Sequence, residues 1–163
     1  MQAELLTYFR AEKFEAAFYF AAGLLAIALS AWLWRTASPY RGAAIPLVLV
    51  ALIQLAVGGS VFARTDRQSA TLSQQLAASA ATYRAAELAR MEKVMTGFAT
   101  YKVIEIALLL AGIALSCWPG ARRTLWEGVS IGLVGQASLM LLLDLIAERR
   151  ARDYVAAILT LGG

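Results

Sequence analysis

Four long apolar stretches alternate with polar ones along the chain, at about 14–34, 43–63, 98–118 and 125–147. Each approaches the ~20 residues that a helix needs to cross the hydrocarbon core of a bilayer. The pattern predicts an all-α integral membrane protein: an antiparallel bundle of four transmembrane helices forming one membrane domain over residues 1–163. Pro46 falls in the first turn of the second span, where proline is tolerated. Pro119-Gly120 stops the third. Residues 64–97 contain no proline, and no glycine before Gly97. Good helix formers dominate them from Leu72 onward. They predict a long helical extension, one unbroken helix over 71–96 running on into the third span.

The apolar spans carry stripes. Leu88, Met91, Met95 and Phe98 recur at helical steps and form one apolar face, a candidate interaction surface for a partner. The same steps lead on to Lys102 and Glu105 inside the third span. In the fourth span Gly128, Gly132, Gln136, Met140, Asp144 and Glu148 follow every four residues, beginning with a GxxxG that lets helices approach closely. The first span shows Glu15, Tyr19, Gly23, Ala26 and Ser30, and the second Ala51, Gln54 and Gly58. Each helix thus has one small or polar face and one greasy face. Gly128, Gly132, Gln136 and Gln54 are expected at helix-packing positions.

Charge sets the expected orientation. Arg10, Lys13, Arg64, Arg67, Arg84, Arg90, Lys93, Arg149, Arg150 and Arg152 lie on the side of the termini and the middle segment, against Arg35, Arg41, Arg122 and Arg123 on the other. The positive-inside rule places both termini and residues 64–97 in the cytoplasm, in a multi-pass inner-membrane protein. The leader of the first span mixes Glu4, Glu12 and Glu15 with Arg10 and Lys13, which argues against a signal peptide. Trp32, Trp34, Trp118 and Trp126 all fall at the outer span ends, where tryptophan prefers the headgroup interface. The net charge of +4 and pI near 9.5 then reflect anionic lipid and topology, not nucleic acid. The 153–161 segment is expected to lie in the membrane interface.

Composition agrees: 60% of residues are hydrophobic and the mean hydropathy is +0.64, against about 45–50% apolar in soluble domains. There is no histidine and one cysteine, Cys117. That removes Ser-His and Cys-His nucleophiles, CxxC chemistry and nearly all zinc sites. No phosphate loop or nucleophile motif occurs, so no catalytic residue, metal ligand or cofactor is expected, and an enzyme is the least favoured reading.

The remaining chemistry is Glu15, Tyr19, Lys102, Glu105 and Asp144, which the span depths gather in the cytoplasmic half of the bundle as candidates for ligand or ion binding. A charge at the bilayer centre costs from roughly 2.5 to above 10 kcal/mol, so such residues usually face protein or water. In a structural role, Lys102 pairs with Glu105 one turn away, and Asp144 with Lys102 or Arg64. In a functional role, the excess of acids binds a proton, a cation or a polar ligand. The leading expectation is a non-enzymatic inner-membrane interaction or accessory protein. Its partners would be membrane lipids and a second copy or another membrane or cytoplasmic protein. The alternative is a small proton- or cation-linked transporter or channel using Glu105 and Asp144.

Overall fold

A computed structural model describes residues 1–161 as four long α-helices: α1 (Gln2–Arg35), α2 (Ala44–Ala78), α3 (Ala80–Cys117) and α4 (Leu125–Leu159). Short 3₁₀ turns at Arg41–Ala43 and Pro119–Ala121 complete the α1–α2 and α3–α4 connections. All four helices are long and apolar enough to cross a membrane. At 34 to 38 residues they are also far longer than the ~20 that crossing requires. The excess lies at the end that holds the N-terminus, the α2–α3 turn and the end of α4, called here the Ser79 end. All four tryptophans are exposed at the opposite end.

The unbroken helix expected over 71–96 does not form. Ser79 is extended (φ −159°, ψ 109°), ending α2 and starting α3. Its hydroxyl accepts the Thr82 N–H at 3.3 Å, satisfying one of the free donors of the new helix. A serine competes with the helix for its own backbone partners, so neither glycine nor proline is needed for the break. Burial completes the argument. The turn brings Leu72 of α2 and Tyr83 and Met91 of α3 into one core with Leu5, Tyr8 and Phe9 of α1 and Ala151, Tyr154 and Ile158 of α4. The 153–161 segment, expected in the interface, thus continues α4 and buries Tyr154 and Ile158.

The helices pack as two hairpins, α1 with α2 and α3 with α4. Gly58 lies so close to α1 that a Cβ would stand 2.7 Å from the Ala16 carbonyl oxygen. At the tryptophan end, the GxxxG of α4 meets the start of α2. A Cβ on Gly128 would lie 2.7 Å from the Tyr40 carbonyl oxygen, and one on Gly132 would lie 2.6 Å from Pro46. Helix α4 joins the hairpins by touching both α1 and α2, whereas no Cα of α3 comes within 8 Å of α1 among the described residues. Helix α3 is therefore the outlying helix of the apolar region, with Val103 and Leu110 largely exposed.

Candidate functional site

The polar positions of α1, α3 and α4 converge where the apolar stretches approach the Ser79 end. The Tyr19 hydroxyl of α1 donates to Asp144 Oδ1 of α4 at 3.0 Å. Glu105 of α3 stands beside Asp144, close enough for the two carboxyls to share a proton, is only 3% exposed, and meets no N–H or O–H donor on either carboxyl oxygen. Three helices thus each contribute one acidic or phenolic oxygen to a single region.

Lys102 does not neutralise Glu105. Its ammonium pairs with Glu148 Oε2 at 2.5 Å, and Arg152 also pairs with Glu148. The reason is directional. Side chains on a helix lean toward its N-terminus, so Lys102 reaches toward the Ser79 end, where Glu148 lies. Asp144 takes Tyr19 as its partner, not Lys102 or Arg64. Glu15 is held one turn below Tyr19 by Arg150, whose Nη2 donates to Glu15 Oε2 at 2.7 Å while Nη1 pairs with Oε1. Of the five candidate residues, Tyr19, Glu105 and Asp144 come together, while Glu15 and Lys102 sit in separate ion pairs beside them.

Gln54 of α2 is fully buried with neither amide atom partnered, and Gln136 is buried on α4. The approaches of Gly58 to Ala16 and Phe20, and of Gly23 to Ala51 and Leu55, set Gln54 level with residues 19–24 of α1. The Leu88–Phe98 face lies against the core at the Ser79 end while three of its four residues stay partly exposed. Met91 is fully buried, and Leu88, Met95 and Phe98 pack against the same core.

Below the site lies a second polar assembly, built on Glu87 and Arg90, which in sequence look like an ordinary amphipathic helix surface. Arg90 donates to both oxygens of the buried Glu87, from Nη2 at 2.6 Å and from Nε at 2.8 Å. Tyr154 donates to the same carboxylate at 3.1 Å and shares a 2.6 Å hydrogen bond with Tyr83. Tyr8 stacks on Tyr154 at 4.3 Å, and the guanidinium of Arg90 faces the ring of Phe9 at 5.5 Å. Burial disfavours the Arg90 charge, yet the hydrogen bond and charge of Glu87 outweigh it and hold Arg90 above its ordinary value.

Glu12 has a buried oxygen, Oε2, without a partner. Burial pushes its carboxyl up from its ordinary value, against the opposing pull of Arg90, Arg64 and Arg150. One signal for these residues was present: Tyr8, Glu12, Glu15 and Tyr19 follow at steps of four, three and four, on one face of α1. The first apolar span, bounded at about residue 14, takes in only the second half of that stripe.

Among the described residues, no group of three or more His, Cys, Asp or Glu is placed to hold a metal ion. No protein-family model, curated protein or solved structure matches the chain.

Proposed function

We propose that this chain is a multi-pass inner-membrane protein, an antiparallel bundle with its termini and the Ser79 turn in the cytoplasm, which carries a proton or small cation through Glu105, Asp144 and Tyr19. The orientation rests on the excess of Lys and Arg at the Ser79 end. The functional reading rests on Glu105, whose two buried oxygens meet no donor and face a second acid, Asp144, while Lys102 is engaged elsewhere. A bare carboxylate at such a depth is costly. A proton on Glu105, or a cation between Glu105 and Asp144, removes that cost. An all-oxygen set of two carboxyls and a phenol suits a proton or a hard cation.

Reconstitution into liposomes loaded with a pH indicator tests this. The protein should dissipate an imposed proton or alkali-cation gradient. Glu105→Gln and Asp144→Asn should lower that flux at least tenfold with thermal unfolding in detergent unimpaired. Liposomes carrying the unmodified protein that stay as tight as protein-free ones under both gradients reject the reading.

A second reading is favoured by α3. In this reading the chain is a non-enzymatic accessory protein, and the largely exposed α3 face around Val103 and Leu110 meets a second copy or another membrane protein. A Leu110→Cys variant in a Cys117→Ser background should then crosslink in native membranes. Monomer throughout would exclude it.

A further inference from the structure

Glu12 and Glu105 are the carboxyl groups with buried, unpartnered oxygens among the described residues. They bracket the bonded Tyr19–Asp144 pair. Glu105 adjoins Asp144, and Glu12 lies seven residues before Tyr19 on the same face of α1. That separation is two helical turns, about 10 Å at 1.5 Å per residue. Between them Glu15 makes a two-point pairing with Arg150.

We propose that Glu12 is the proton-loading group of this protein, delivering protons from the Ser79 end to Asp144 and Glu105 by way of Tyr19. This rests on the proton form of the function proposed above. The transfer involves no redox change. The Glu12 O–H bond breaks and its proton passes to a short water chain beside Glu15. The Tyr19 hydroxyl gives its own proton to Asp144 Oδ1 and takes one from the water, so Tyr19 ends neutral. Asp144 passes the proton to Glu105, which releases it toward the tryptophan end before the next arrives, and Glu12 reloads from bulk water.

The charges facing Glu12 come from every helix: Glu15 on α1, Arg64 on α2, Arg90 on α3 and Arg150 on α4, with the Tyr8 ring one turn away on α1. The arginines keep a deprotonated Glu12 tolerable. Burial favours its protonated form. A carboxyl held between those opposing influences is suited to exchanging protons.

The test compares the unmodified chain, Glu12→Gln, Glu12→Asp and Glu105→Gln. Each is reconstituted in phosphatidylethanolamine–phosphatidylglycerol vesicles containing pyranine, and proton uptake is followed across a range of external pH. Glu12→Gln should slow uptake at least tenfold and flatten its pH dependence. Glu12→Asp should restore both, and Glu105→Gln should abolish uptake. Thermal unfolding of Glu12→Gln should show no loss of stability.

A Glu12→Gln protein with the uptake rate and pH profile of the unmodified chain overturns the loading role and leaves the Glu105 reading intact. Slow uptake that Glu12→Asp does not restore, or that accompanies lost stability, assigns Glu12 a structural role and equally overturns it. Absence of proton flux in the unmodified chain rejects the proton reading itself, and the relay with it.

Discussion

Glu87 and Glu105 lie on the same helix, eighteen residues apart, which is five full turns and therefore one face of α3. Both are almost completely buried, at 1% and 3% exposure. Glu87 receives two hydrogen bonds from Arg90 and one from Tyr154. Glu105 receives none. A buried acid that serves architecture is ordinarily satisfied, because an unpaired polar group in a dry interior is destabilising. The fold supplies such partners at Glu87 and withholds them at Glu105, although Lys102 stands one turn away. The contrast separates an acid satisfied by donors from its own helix and from α4 from one whose polar neighbour is a second acid, Asp144.

Mutation should break the two halves of this comparison in opposite ways. Arg90→Ala strands the Glu87 carboxylate in the core and should cost about 3–5 kcal/mol of stability. Glu105→Gln removes an unpartnered charge and should be neutral or stabilising in the same thermal unfolding measurement. A large loss at Glu105 and a negligible one at Arg90 would invert the assignment.

Tyr154→Phe tests the periphery of the Glu87 assembly. It deletes one of three donors to the carboxylate and the bond to Tyr83, and should cost about 1–2 kcal/mol. Urea titration in mild detergent would register it, and no change would mean that Arg90 alone satisfies Glu87.

The smallest effect is expected at Glu12, and it depends on pH. Burial raises its carboxyl above the ordinary value, so the folded state holds that proton more tightly than the unfolded state does. The stabilisation is complete below the ordinary carboxylate range and is lost as pH rises through the raised value. Glu12→Gln should therefore unfold with the parent at acid pH and slightly above it at neutral pH. Glu12→Gln unfolding below the parent at neutral pH would instead show Glu12 to be held as a carboxylate.

Much of the site could be read as periodicity. The Gly128–Glu148 stripe and the continuation of Leu88–Phe98 into Lys102 and Glu105 both follow from the 3.6-residue turn, and these stripes put Asp144 and Glu105 on inward faces before any coordinate is considered. The partner of Lys102 could not be read this way. Glu105 is its neighbour in sequence, whereas Glu148 is its neighbour only once α3 and α4 are set in register. The aromatic core at the Ser79 end escaped for a related reason. Tyr8, Tyr83 and Tyr154 lie on three helices, none is remarkable in its own segment, and only the break at Ser79 folds α3 back to meet the others. Glu87 and Arg90 are an ordinary three-residue pair in sequence. Burial under Tyr154 and Phe9 is what makes them a core element.

Sequence by itself determined that the chain forms four long helices apolar enough to cross a membrane, and which face of each is small or polar. Those properties follow from local propensity and from the length and spacing of apolar residues. Tertiary structure decided which acids are satisfied and which are left bare, because a side chain finds its partner through the register and lean of neighbouring helices. Glu105, with both carboxyl oxygens buried and no donor, and Glu12, with one such oxygen, are the outcome of that choice.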